Sequence, residues 1–351
     1  PQMLGYKVVT HTESILVDRS VELNGDKDIS FKLKTEPTTV ALDIQSANDA
    51  RIENVSLNSG INGVRIVDSG NVSLSHVILL NEYQQMEPRI LMRNSNDVKI
   101  YDHSFWPELS PPLHIDRCGN ISLDYSIVHS SLGKGITVER SDAVSFETSK
   151  FYGKRIPITF RDCRDTYLGD SWIHFNIKSD RGVVLDDCIG TEINDTIFTG
   201  TGIASPTDYI HLNMKNNTEG TWVHNSHFLE SHMLNQDIEG IKIEGPSNNS
   251  MIEDCRFHYL ESGLELFDDP LYPHHAEGFT VKECEFEGDA LGLSVSLIGN
   301  LTVQGCQFKD CDDSLGIFMG DLNVMENEFR NFDMGVVQMG GNSIFTDNRM
   351  V

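Results

Sequence analysis

One phrase of short apolar runs and small polar turns repeats from about residue 40 to the end of the chain. Its first strand is apolar at alternate positions, as in Gly63-Val64-Arg65-Ile66 and Gly135-Ile136-Thr137-Val138, and a polar turn leads to a second strand such as Asn71-Val72-Ser73-Leu74 or Ala143-Val144-Ser145-Phe146. The phrase closes on an aromatic residue, most plainly in Cys255-Arg256-Phe257, Cys284-Glu285-Phe286, Cys306-Gln307-Phe308 and Asn327-Glu328-Phe329. The first apolar residue of each copy falls at Val64, Ile90, Leu113, Ile136, Ile158, Val183, Ile210, Ile241, Leu264, Leu293, Ile317 and Val337, at steps of 20 to 31 residues. Each copy holds three period-2 segments and almost no helical periodicity.

A unit of this kind cannot bury its own apolar face, whereas stacked copies share one continuous core. The pattern predicts an all-β right-handed parallel β-helix of about twelve coils, with residues 1–39 as a less regular lead-in and 40–351 as one domain. A leucine-rich horseshoe needs a fixed Leu and Asn spacing that is absent, and a propeller needs a longer period. Cys255, Cys284 and Cys306 occupy one position in three successive copies, which predicts an inward ladder of small soft side chains. Cys163 and Cys188 match each other in the same way, so a disulfide between them stays open. The last copy stops mid-phrase, which leads us to expect a neighbouring domain or subunit capping the C-terminal coil.

In such strands the residues between the inward ones face outward. The first strands then offer one outer column through the central copies: His114, Asp116, Glu139, Arg161, Asp186, His211, Lys242 and Glu244. Excursions at about 104–112, 198–209, 225–239 and 267–278 interrupt the coils, and loops leaving a rigid repeat commonly wall a binding site. Trp106 and Tyr209 are candidate platforms for sugar stacking, while Trp222 reads as core. A solvated face laced with ion pairs is the alternative reading of this column.

Charge narrows the choice of partner. The 351 residues carry 27 basic and 53 acidic side chains, net −26, which disfavours phosphate backbones and anionic membrane surfaces. No apolar run is long enough to span a bilayer, and the opening residues show no signal peptide, so the chain reads as a mature protein or as part of a longer one. Seven cysteines show no CxxC pair and no zinc-ligand spacing. The seven Asn-x-Ser/Thr sequons, at Asn54, Asn71, Asn120, Asn194, Asn216, Asn248 and Asn300, fit the turn grammar of the coils.

The coil phrase resembles the pectate-lyase-like parallel β-helix superfamily, which includes polysaccharide lyases, uronan epimerases, polygalacturonase-type hydrolases and tailspikes. Lys134 before Gly135-Ile136-Thr137-Val138, and Arg155-Ile156-Pro157-Ile158-Thr159-Phe160-Arg161 in the next copy, resemble the lyases' Lys and their Arg-x-Pro-x-x-Arg motif, with the second Arg one residue late. The resemblance implies Arg155 as proton-abstracting base, with Lys134 and Arg161 holding uronate carboxylates. It also implies calcium, but His114, Asp116, Leu91 and Arg93 stand where the lyases have carboxylates, so that site looks degraded.

A second resemblance, to the inverting hydrolases, rests on Asp180, Asp208 and Glu239 ahead of three successive first strands, with Asp186 and His211 close by. The Asn-Thr-Asp and Gly-His-Gly motifs of those hydrolases are missing. Asp269-Pro270-Leu271-Tyr272-Pro273-His274-His275 shares only letters with the epimerases' Asp-Pro-His-Asp. The sequence therefore leads us to expect a secreted or cell-surface protein that binds an acidic polysaccharide on its central coils and acts on it by lyase-type chemistry. Arg155, Lys134, His211 and Asp186 are the catalytic candidates, and Arg161, His114, Asp116, Glu139, Lys242, Glu244, Trp106 and Tyr209 the binding ones. A non-catalytic adhesin or tailspike-type spacer is the alternative, and a metal-loading chaperone fails because the eleven methionines are scattered.

Overall fold

In the computed structural model the chain is all parallel β-sheet and makes about 11 solenoid turns. The structure describes residues 7–10, 15–17, 21–24, 31–34, 40–58, 63–80, 87–105, 111–130, 135–153, 157–176, 181–201, 209–216, 218–230, 238–267, 277–296, 298–317 and 320–351. Among these residues there is no helix, and so none long and apolar enough to cross a membrane. The chain divides into two compact units, Pro1–Ile158 and Thr159–Val351.

Each coil contributes one strand to each of three parallel sheets. In the first unit, sheet I holds Leu42–Gln45, Val64–Val67, Ile90–Arg93, Leu113–Asp116 and Ile136–Glu139 in register. Sheet II holds Asn48–Glu53, Gly70–Ser75, Asn96–Tyr101, Gly119–Asp124 and Asp142–Glu147. The strands before residue 40 pair into the same sheets, as in Ile15–Val17 with Leu42–Ile44. In the second unit, sheet I runs through Arg181–Asp186, Tyr209–Lys215, Ile238–Glu244, Ser262–Phe267, Leu291–Ser296 and Asp313–Ile317. Sheet III there runs through Ile197–Thr201, His227–Glu230, Arg256–His258, Glu285–Glu287, Gln307–Lys309 and Glu328–Arg330.

The turns between sheets explain the richness in Asp and Asn. Nearly every corner has one residue in the left-handed region, such as Asn94 (φ 48°), Asp195 (φ 46°), Asn225 (φ 51°) and Asp254 (φ 51°). Asp and Asn tolerate that region best among residues with a Cβ, because their short polar side chains bond locally. Just inside the corner leading from sheet II to sheet III, a small polar side chain points inward in every coil of the second unit. Ser226 Oγ donates to the His224 carbonyl at 2.9 Å, Cys255 Sγ to that of Glu253 at 3.3 Å, and Cys284 Sγ to that of Lys282 at 3.3 Å. Cys306 and Asn327 continue the ladder, and the Asn327 carboxamide oxygen accepts from the Cys306 N–H at 2.8 Å.

All seven cysteines are free and buried, Cys163 and Cys188 among them, so the inward ladder stands and the disulfide does not form. Burial pushes the thiols of Cys284 and Cys306 well above their ordinary pKa, which keeps them protonated and unreactive.

Beside the thiols runs a phenylalanine stack on the inner face of sheet III. Phe198, Phe228, Phe257, Phe286, Phe308 and Phe329 lie with ring centroids 4.6 to 5.0 Å apart and planes within 9° of parallel. Phe257→Ala removes the middle of this stack and opens a cavity the coils cannot collapse into. It is expected to cost about 3–5 kcal/mol in chemical denaturation, against a much smaller loss for Phe257→Leu.

Candidate functional site

Sheet I, where the sequence column was expected, is outward-facing but already neutralised by its own charges. In the first unit Asp43 is paired with Arg65. Asp116 is held by Arg140 at 2.6 Å and by Arg93 at 3.4 Å, and only 3% of its surface is open. A carboxylate clamped by two guanidinium groups is a poor start for a calcium site, which wants several free oxygens. His114 and Glu139 lie on the same face, both half-buried.

In the second unit Arg161 Nε reaches Asp186 at 3.2 Å, and Lys215 Nζ approaches the same carboxylate at 3.8 Å. Asn213 Nδ2 donates to Glu244 at 3.1 Å, and Arg181 lies 3.8 Å from that carboxylate. Lys242 sits between Glu239 and Glu265, 3.0 Å from each. Burial works against the Lys242 charge, but the two carboxylates outweigh it and raise its pKa.

Two expectations for this face are corrected. His211 is wholly buried, against Phe198 and Phe228 at ring distances of 6.2 and 6.0 Å. The reason is a break in alternation where the chain turns into sheet I. His211 stands opposite Gly240, and a Cβ built on Gly240 would point at the Phe257 ring 2.8 Å away, so this column faces the core. Tyr209, at 2% exposure, is likewise enclosed and presents no face to a sugar. Trp222 departs in the opposite direction. It was read as core, yet it is 41% exposed on the outer face of sheet II and stacks on His224 at 3.9 Å. Lys134, Arg155, Trp106, Asp180, Asp208 and the His274-His275 pair lie outside the described residues.

A concave surface lies elsewhere, along the corner between sheets II and III of the second unit. A cavity of about 450 Å³ is lined by two parallel columns, the corner residues Asp195, Asn225, Asp254 and Glu283 and the strand residues His227, Arg256, Glu285 and Gln307. Cys255 and Cys284 border it. Each column takes one residue from each of four successive coils, so at about 4.8 Å per coil the columns run some 15 Å.

The lining connects to the exposed tryptophan through His224, which is near Asn225 and stacks under the Trp222 ring. Asn225 Nδ2 bonds Asn194 Oδ1 at 3.1 Å and lies 3.2 Å from His224 Nδ1, while His224 Nε2 meets Glu192 at 2.9 Å under the Trp222 ring. Arg256 Nε lies 3.5 Å from Glu285, and Lys282 Nζ 3.1 Å from Glu283. Burial, helped by the nearby Arg256 charge and by His258, lowers the pKa of His227, so its imidazole is neutral near pH 7. Four carboxylates, two amides, a neutral imidazole and one guanidinium make a wall of hydrogen-bonding groups with net negative charge. Such a wall accepts hydroxyl donors and repels anions. The sequence did not single out this groove, because its corner residues are of the types that left-handed turns already require.

With the geometry in place, the comparisons fix the family. The profile of the right handed beta helix region matches residues 89–350. The chain belongs to that family. No curated protein matches the sequence. Among solved structures this β-helix is similar to the periplasmic alginate epimerase AlgG, with TM-score 0.49, 10% identity, and 92% of this chain and 77% of that one covered. It is also similar to the catalytic domain of a GH87 α-1,3-glucanase in complex with nigerose (TM-score 0.46, 10% identity, 85% and 63% covered). The Streptococcus pneumoniae surface protein and adhesin PfbA gives TM-score 0.43 at 10% identity, with 98% and 91% covered. These likenesses concern the fold alone.

The two sealed histidines of the β-helix generate a pH signature. Burial lowers the pKa of His211 to about 3. It lowers that of His103 to about 4, against the opposing hydrogen bond that His103 Nδ1 donates to the Val77 carbonyl at 2.5 Å. Both are neutral when folded and take up a proton near pH 6.5 when unfolded, so their stability contribution is complete above about 6.5 and falls with pH down to the folded values. The expected slope is up to ~1.4 kcal/mol per pH unit for each group. Urea midpoints at pH 7 and pH 4.5 should differ less in His211→Leu than in the parent chain.

Proposed function

We propose that this β-helix binds a neutral, hydroxyl-rich polysaccharide in the groove between sheets II and III of the second unit. The polar groove of about 450 Å³ carries the reading, because its two columns repeat coil by coil as a sugar chain repeats along its length. Carboxylates and amides spaced this way accept and donate to vicinal hydroxyls, and the exposed Trp222 beside His224 offers an apolar face of the kind a sugar ring stacks on. The excess of Asp and Glu in the lining favours a neutral glycan over a uronate, which departs from the acidic polysaccharide the sequence suggested.

Binding is favoured over elimination. Of the three lyase candidates, Arg161 is the one within the described residues, and its guanidinium is engaged by Asp186 rather than open to a substrate carboxylate. A protein with this role works outside the cell or on its surface, where such polymers are met.

The test is titration calorimetry against neutral glucans, mannans and xylans, with pectate and alginate in parallel and absorbance at 235 nm followed for the uronates. The expected result is saturable binding of at least one neutral polymer and no rise at 235 nm. The double variant His227→Ala/Gln307→Ala should then bind about tenfold more weakly with an unchanged circular dichroism spectrum, about the loss of one or two net hydrogen bonds. Binding of uronates alone, or neutral binding untouched by the double variant, would overturn the assignment.

A further inference from the structure

We propose that the outer face of sheet III in the second unit carries a site for a first-row divalent cation of the zinc type, formed by His258, Glu285 and Glu287. The three come from two adjacent strands: Glu287 stands directly opposite His258, and Glu285 lies two residues back on the same face. One ligand atom from each falls within 4.8 Å of the other two, and all three residues are half-buried. A rigid pair of strands therefore brings one nitrogen and two carboxylate oxygens together without a loop.

A separate observation points to a ligand. His258 Nε2 is shut off from solvent and has no hydrogen-bond partner, although its residue lies on the outer face of the sheet. An imidazole nitrogen left unsatisfied in this way costs free energy that a metal bond would recover.

The donor set selects the class of ion. Calcium and magnesium take oxygen-rich shells, whereas one imidazole with two carboxylates matches zinc and its neighbours. Three protein ligands leave a position open to water or to a ligand hydroxyl.

Two cations now neutralise the carboxylates. Lys309 Nζ is bonded to Glu287, which raises the lysine's pKa, and Arg256 lies 3.5 Å from Glu285. Lys309 is the direct competitor, since it holds an oxygen that the ion would use. Its half-exposed side chain is long enough to swing into solvent when a divalent ion arrives. The site does not rest on the glycan reading, although Glu285 also lines the groove.

The experiment is calorimetric titration of the chelator-treated full chain with zinc chloride, without glycan, beside His258→Ala, Glu287→Gln and Lys309→Met. We expect one zinc per chain, at least thirtyfold weaker binding in His258→Ala and in Glu287→Gln, and about tenfold tighter binding in Lys309→Met. Circular dichroism spectra matching the parent would show that each variant folds. Absence of a one-to-one site in the parent would overturn the proposal. So would equal zinc affinity in folded His258→Ala and parent, or weaker binding in Lys309→Met.

Discussion

The structure depends on register between coils. A parallel ladder sets each residue against its counterpart one turn away, so a side chain that suits the core once must suit it repeatedly. The phenylalanine stack from Phe198 to Phe329 and the Ser–Cys–Asn ladder beside it are both products of that constraint. Hydroxyl, thiol and amide succeed one another along the ladder because each can donate to a backbone carbonyl and still fit the space. What the second unit shows to solvent is ordered for the same reason. The columns of the groove are aligned because the core beneath them is.

The same register explains why the fold was legible in the sequence. Inward positions recur with little change, and Cys255, Cys284 and Cys306 could be placed inside simply because they recurred together. Outer positions carry no such requirement, and there the reading was partly wrong. His211 was misplaced because strict alternation was carried through a bend where two consecutive residues face the core. The neighbouring glycines, Gly240 and Gly263, were the signal available, since a column of glycine beside phenylalanine marks a place with no room outward of the stack. Trp222 was misplaced because a large aromatic residue in a strand suggests core, and only the sheet's geometry shows that its phase points out.

The groove was illegible for a subtler reason. Asp195, Asn225 and Asp254 are needed first as turn residues, since each adopts a left-handed conformation at its corner. A residue type demanded by the backbone carries no visible sign of a second use. Sheet I shows the reverse case, a dense set of charged residues that resembles an active site in sequence. In three dimensions Asp116, Asp186 and Glu239 are matched by Arg140, Arg161 and Lys242, and such matched pairs hold one another in place more than they attract a ligand.

The repetition of the corner column has an evolutionary corollary. Because each coil adds one corner residue and one strand residue to the groove, the groove works as a ruler graduated in coils. Duplication or loss of a single coil would lengthen or shorten it by one graduation without disturbing the core, since the new inward side chains stack on copies of themselves. Under the proposed glycan reading, polymer length preference would drift by whole steps, through gain or loss of coils rather than through point substitution.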